Sequence, residues 1–347
     1  MQEQQQSTAN QPQPAQPKGR GLLIGLSIIL GIVLACAILP IGAFAVLVAS
    51  VDSEDTSLPR PATTWREKVV SGQGPDRVVI IEVTGVIGAP EDTSILSSQI
   101  SQQDILSQIR QATEDPKVKA LVLRVDSPGG GVVASNEIHR QLKEFTATEK
   151  PLVVSMGTVA ASGGYYIATP ADQIYANADT FTGSLGVILS LLNYEDTLDM
   201  LGMQQLVFKS GEFKDIGSPA REITPEEEAI LQGLIDQAYN GFVDVITEGR
   251  NMDREEVLRL ADGRIYTGQQ AMELGLIDEL GNLDDSIAAS KELAGLSEAL
   301  IVRYTSSTSL TEALLGALTQ QQQPADPLGL RHATELTWPR LEYRMVP

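Results

Sequence analysis

Cysteine is nearly absent from this chain: Cys36 is the only one, and it lies inside an apolar run. One thiol excludes an intrachain disulfide framework and a thiolate-built metal site. Histidine is almost as scarce, with only His139 and His332. Two imidazoles are too few for most histidine-built metal sites, and they are the only imidazole bases on offer to a Ser-His-Asp triad. His139 falls mid-helix among charged neighbours and reads as a solvated face residue; His332 falls in a weakly patterned tail. Cations are outnumbered, with 25 Lys and Arg against 45 Asp and Glu, for a net charge of −20. Without a broad basic face the chain has nothing to offer phosphates, which excludes nucleic acid as a partner. Acidic residues alone can bind Mg²⁺ or Ca²⁺, but no loop has the required spacing. No cofactor and no metal is expected, and no internal repeat is present.

Charge of either sign is missing altogether from residues 21–50. That run is long enough to span a bilayer as a helix, and too long for the apolar segment of a cleaved signal peptide. Lys18 and Arg20 precede it, and Asp52, Glu54 and Asp55 follow. The positive-inside rule then puts the N-terminus in the cytoplasm and the rest of the chain outside. Residues 1–20 are rich in Gln and Pro and read as a disordered cytoplasmic tail; residues 51–76 read as a polar linker. Residues 297–347 read as a C-terminal extension, partly disordered, with Gln320 to Gln323 and later prolines as its tail.

Between these, residues 77–296 alternate strand and helix patterns. Apolar runs at 78–83, 120–125, 152–154, 174–176 and 206–208 predict strands. Helices are expected over 95–113, 132–145, 224–250, 254–260 and 283–294; the third starts on Thr224-Pro225 with three glutamates in its first turn. Alternating strands and helices predict an α/β domain with a parallel sheet.

The chemistry concentrates at Ala160-Ala161-Ser162-Gly163-Gly164-Tyr165-Tyr166, directly after the strand at 152–154. Ser162 sits at a strand-to-helix turn with only Ala and Gly beside it. Such a turn exposes a hydroxyl and aims helix N-terminal N–H groups at developing negative charge. The bland alternative is a serine capping an ordinary helix. A full G-x-S-x-G elbow is absent, because Ala160 stands at its first glycine, so an α/β-hydrolase is not expected. The small residues around Ser162 predict a small pocket for the residue before a cut, accepting Ala- or Leu-sized side chains.

Four motifs occur in order: Asp126-Ser127-Pro128-Gly129-Gly130, Ala161-Ser162-Gly163-Gly164-Tyr165-Tyr166, Thr182-Gly183-Ser184-Leu185-Gly186 and Gly211-Glu212-Phe213-Lys214-Asp215. Together they resemble the bacterial signal peptide peptidase A family in its short, single-repeat form. The resemblance covers roughly residues 76–296. It implies a Clp protease/crotonase-like fold, a parallel sheet with flanking helices, and a Ser-Lys dyad. Ser162 matches the nucleophile, Lys214 the general base and Ser184 the serine that orients the lysine. Gly130 matches one oxyanion donor and Gly163 the second; Gly131 extends the usual glycine pair and leaves the first donor uncertain by one residue. A lysine serves as base only when neutral, a state that burial favours.

The resemblance implies a membrane-anchored serine endopeptidase of the bacterial cell membrane, its catalytic domain extracytoplasmic, degrading remnant signal peptides. Implied partners are peptide substrates in or near the membrane, the bilayer through residues 21–50, and further copies of the chain in a ring or dome. Two other readings stay open: a related membrane protease that cleaves stomatin-type proteins, and a catalytically silent scaffold.

Overall fold

The computed structural model describes residues 65–88, 101–305 and 342–345. The expected tail at 1–20, span at 21–50 and most of the linker lie outside them. Among the described residues no helix is long and apolar enough to cross a membrane.

Three strands make the centre of a nine-stranded sheet. They are β2 (Arg77–Thr84), β3 (Val118–Ser127) and β5 (Leu152–Ala161), all parallel. Each is a near-continuous Val, Ile, Leu and Ala run, as expected for strands covered on both faces. Their period of two divides the core. Val79, Ile81, Leu121 and Leu123 point into the larger layer, beneath α1 (Gln102–Glu114) and α2 (Val132–Thr146). Val78, Ile80, Ala120 and Val122 point the other way, onto Leu283 and Ile287 of α8 (Leu283–Leu293).

The strand order is β1-β10-β2-β3-β5-β6-β9, with β1 (Arg66–Gly72), β6 (Gln173–Ala176), β9 (Glu279–Leu280) and β10 (Leu300–Thr305). Only β1 runs antiparallel to its neighbour on this path. Beyond the main sheet, β7 (Phe181–Gly183) pairs with the last residues of β5 and with β8 (Ile265–Thr267). After β3 the chain leaves the sheet as β4 (Gly129–Gly131), which pairs antiparallel with β11 (Glu342–Arg344). The remaining helices are α3 (Gly163–Tyr166), α4 (Glu195–Met200), α5 (Pro225–Arg250), α6 (Arg254–Leu260) and α7 (Gly268–Glu273). Helix α5 starts where its capping sequence predicts: Thr224 Oγ1 accepts from the Glu227 N–H at 3.2 Å, and the Glu227 carboxylate accepts from the Thr224 N–H at 3.0 Å.

The mixed α/β fold with a parallel centre agrees with the sequence reading. Several details do not. The sheet draws β1 and β10 from outside residues 77–296, because each supplies hydrogen bonds to an edge the core strands leave open. Residues 206–208 form no strand; Phe208 is 96% exposed. Helix α1 starts at Gln102, capped by Ser101, and residues 95–100 lie outside the described residues. His139 is buried, on the α2 stripe that also carries Ser135, Ile138 and Leu142, because three- and four-residue steps bring these side chains onto one face.

Candidate active site

Strand β5 is buried along most of its length and ends in Ala160 and Ala161, both fully buried. Ser162 follows with φ 53° and ψ −115°, a conformation costly for any residue with a Cβ. Two hydrogen bonds hold it there. Its N–H donates to the Gly183 carbonyl of β7 at 2.8 Å, and its carbonyl accepts from the Tyr166 N–H of α3 at 2.8 Å. The side chain is 1% exposed and Oγ has no hydrogen-bond partner. It makes no capping bond to α3, so the capping reading of this serine is not met. A buried hydroxyl without a partner costs free energy, and so does the backbone that presents it. Both costs fall on one residue.

Beside it are two glycines. In β4, Gly129 and Gly131 spend their polar groups on Ile87: the Ile87 N–H donates to the Gly129 carbonyl at 2.8 Å, and the Gly131 N–H to the Ile87 carbonyl at 2.9 Å. Alternation then leaves the Gly130 N–H on the opposite edge. Gly163 lies against it, since a Cβ built on Gly163 would sit 3.1 Å from the Gly130 nitrogen. The same Cβ would sit 2.6 Å from Ser135 Oγ, another buried hydroxyl without a partner. Ser162 and Gly163, at the junction of β5 and α3, therefore come together with Gly130 of β4.

Ser184 is held nearby. It has φ 51°, and its N–H donates to the Arg264 carbonyl at 2.7 Å, directly after the Gly183 carbonyl that anchors Ser162. Its side chain lines a cavity of about 260 Å³ with Val187, Ile188, Ile265, Arg344 and Met345. Ser127 is not a free hydroxyl: its Oγ donates to the Gly85 carbonyl at 2.6 Å.

Lys214 sits in a short 3₁₀ turn, Glu212–Asp215, and its side chain is exposed. Within this single chain it makes no bond to Ser162. Its neighbours fix the turn. Asp215 accepts from Lys209 at 2.7 Å and from Arg221 at 3.0 Å, and Arg221 also grips the buried Glu227. Arg221 holds the Glu227 carboxyl down at about 2, chiefly through these hydrogen bonds. His139 packs edge-on against Tyr166 at 5.2 Å, and burial pushes it down to about 4. His332 lies outside the described residues. Among the described residues no group of three or more His, Cys, Asp or Glu is placed to hold a metal ion.

A strained serine beside Gly163 and Gly130 is suited to acyl transfer, in which backbone N–H groups take up the charge of an oxygen that becomes negative. Known proteins point the same way. A profile of peptidase family S49 matches residues 144–297, a stretch holding Ser162, Ser184 and Lys214. A protein of Synechocystis sp. provisionally named a protease is 42% identical over 268 residues, covering 77% of this chain and 92% of the relative. A protein of Enterococcus faecium provisionally named signal peptide peptidase SppA is 38% identical over 244 residues, 70% of this chain and 71% of the relative. The chain belongs to peptidase family S49. Protease 4 of Salmonella typhi is a larger relative, 36% identical over 242 residues that make up 38% of its length. This S49 member is a serine peptidase, which sets aside the silent scaffold. Its N-terminal glycine strand β4 lies upstream of the matched stretch, yet folds back to touch Gly163.

Sequence reasoning missed three residues at the site. Tyr343 lies in the C-terminal extension, which carries no motif. Phe242 is an apolar residue of α5, with nothing to separate it from ordinary core. Ser135 is a small residue on a helix face. Tyr343 stacks on Tyr166 at 5.0 Å, Phe242 packs against both rings, and Ser135 Oγ lies beside Gly163; only topology brings these together.

Proposed function

We propose that this S49 peptidase is a membrane-anchored endopeptidase with a Ser162–Lys214 dyad that degrades signal peptides left after secretion. The observation that carries the reading is the buried, unpartnered Oγ of Ser162 on a strained backbone beside Gly163 and Gly130. Oγ attacks the peptide carbonyl carbon while its proton passes to Lys214 Nζ. The carbonyl oxygen takes up the negative charge against the N–H groups of Gly130 and Gly163. The lysine returns the proton to the leaving amine as the C–N bond breaks. Water then repeats the sequence on the acyl-enzyme, releasing a carboxylate and restoring the hydroxyl. Ser184 orients the amine. The signal-peptide substrate comes from the name of the Enterococcus relative, and the anchor from the uncharged residues 21–50.

In this reading the dyad closes between copies of the chain. The segment around Lys214 exposes Leu192, Met200, Leu206, Phe208 and Phe213, a strip of sequence rich in exposed large apolar side chains. A second copy covers the strip and brings a lysine to Ser162, and burial there dehydrates the amine. Complementation tests both parts. Lys214→Arg is expected to be as inactive as Lys214→Ala, since a guanidinium stays protonated. Mixing inactive Ser162→Ala with inactive Lys214→Ala should restore a fraction of activity, because some sites then pair an intact serine with an intact lysine. Activity in Lys214→Arg alone would refute the dyad. A dead mixture whose exchange of subunits is verified by mass would refute its closure between copies.

A further inference from the structure

Lys214 stands in an irregular stretch of chain. Between the end of α4 at Met200 and the start of α5 at Pro225, the only regular element is the 3₁₀ turn Glu212–Asp215. The backbone of that turn closes on itself: the Lys214 N–H donates to the Gly211 carbonyl at 3.2 Å, and the Ile216 N–H to the Phe213 carbonyl at 3.1 Å. Bonds so local do not fix where the turn stands relative to the rest of the protein. A side chain does. Arg221 Nε donates to Asp215 Oδ2 at 3.1 Å and Nη2 to Asp215 Oδ1 at 3.0 Å, the parallel pair of a bidentate contact. On its far side Nη1 and Nη2 donate to the Glu227 carboxylate at 2.8 and 2.5 Å, and Nη1 also to the Glu222 carbonyl at 2.9 Å.

Every nitrogen of this guanidinium is therefore engaged, and one planar group joins the residue after Lys214 to the first turn of α5. The anchor end is firm, since Glu227 is 2% exposed and belongs to the capping box of that helix. The Arg221 and Lys209 hydrogen bonds hold the Asp215 carboxyl well below the usual carboxylate range, so the contact stays charged on both sides. Residues 201–230 hold three cations, Lys209, Lys214 and Arg221. Lys209 is spent on Asp215 and on the Glu212 carbonyl, and Arg221 on its two carboxylates. Among the described residues only the Lys214 amine is left over from the three. The same helix α5 packs Phe242 on Tyr166 at 5.1 Å, four residues beyond Ser162. One rod thus references both the turn that carries the lysine and the turn that carries the serine.

We propose that Arg221 is a positioning residue of the peptidase: through Asp215 it locks the Lys214 turn to the first turn of α5, and so fixes the reach of the amine towards the serine it serves. The inference rests on Lys214 as the base. Arg221 touches neither substrate nor reacting atoms; it acts by removing freedom from the turn. That freedom matters, because proton transfer needs the two heavy atoms within about 3 Å, and a misplacement of about 1 Å costs on the order of 100-fold in rate. A lysine at this position could not substitute, since one ammonium cannot hold two carboxylates in fixed, parallel pairs.

The test compares Arg221→Gln, Arg221→Lys and Asp215→Asn with the parent, as full-length chains, on two substrates that share one acyl part: a peptide amide and a 4-nitrophenyl ester. The amide needs the lysine twice, to take the serine proton and to protonate the leaving amine, whereas 4-nitrophenolate leaves without a proton. Arg221→Gln should lower kcat on the amide by about 10–100-fold with KM within about 2-fold, and lower the ester rate by less than about 5-fold. Arg221→Lys and Asp215→Asn should show the same split, and Arg221→Lys carries the test if the glutamine variant does not fold. Arg221→Gln combined with Asp215→Asn should be no more than about 2-fold worse than the worse single variant, because both break one contact. Arg140→Gln, which breaks an exposed ion pair with Glu144 on α2, should leave both rates unchanged. The amide-to-ester ratio does not depend on how much of the protein folds or assembles. A loss shared equally by the two substrates would therefore make Arg221 a structural residue only and overturn the proposal, as would an unchanged kcat in Arg221→Gln. Lys214→Arg separates the two layers. If it is inert while Arg221→Gln matches the parent, the positioning role alone fails; if it is active, the base assignment fails and the positioning role with it.

Discussion

Replacing Ser162 with glycine should stabilise the protein while abolishing its activity. Two costs sit on this residue in the structure. The backbone at φ 53°, ψ −115° disfavours any side chain, at about 1–3 kcal/mol. The hydroxyl is buried without a hydrogen-bond partner, at about 1–3 kcal/mol. Ser162→Ala removes the second cost and keeps the first. Ser162→Gly removes both and adds about 0.5–1 kcal/mol of chain entropy in the unfolded state. The expected order of stability is therefore glycine above alanine above serine, with glycine about 1–5 kcal/mol over the parent. For a domain of this size each kcal/mol moves Tm by roughly 2–4 °C. Thermal and urea unfolding of the three full-length chains, followed by circular dichroism, reads the order directly. Peptide cleavage should fall by several orders of magnitude in both variants, since the covalent route is gone. Glycine below alanine would mean that the backbone at residue 162 is not strained. Alanine below serine would mean that the hydroxyl has a partner after all.

Two further outcomes follow from neighbouring residues. His139 is held down at about 4 by burial, with Lys143 adding to the effect and Glu248 opposing it. The unfolded chain binds that proton near ~6.5, so stability should be full above that pH and decline as pH falls from there towards 4, by up to about 3 kcal/mol; His139→Gln should flatten that part of a stability–pH curve, and an unchanged slope would exclude this histidine as its source. Tyr343→Ala should loosen β11 on β4 by removing the ring that packs on Tyr166 and Phe242, lowering KM for a peptide substrate several-fold with kcat unchanged; an unaltered KM would show that the strand does not compete with substrate.

Much of the fold is legible in the sequence because the central strands are buried on both faces. Residues 78–83 and 120–125 cannot be anything but core, and Thr224-Pro225 marks the start of α5 to the residue. Residues 206–208, expected as a strand and forming none, show where that logic ends: so short an apolar run does not compel burial. His139 was legible and misread, since Ser135, Ile138 and Leu142 share its face and mark it as inward. The site divides the same way. Ser162, Gly163 and Gly130 are identified by local motifs, because close backbone approach admits only glycine. Phe242 and Tyr343 are not, because a pocket wall is defined by which distant elements meet, and nothing about a phenylalanine eighty residues away records that meeting.

The strand that lies between Gly130 and Ile188 changes what an arriving peptide can gain. An empty cleft would reward any extended chain with main-chain hydrogen bonds, whatever its sequence. Here those bonds already exist, so an incoming peptide exchanges one set for an equivalent set, and the backbone contributions cancel. What remains is the difference between side chains. Tethering raises the bar further, since a segment of the same chain competes at an effective concentration that can reach the millimolar range. An extended peptide that approaches β4 meets an edge already paired, and displaces the resident strand only if its side chains pack as well as Tyr343 does on Tyr166 and Phe242, or if it arrives in high local supply.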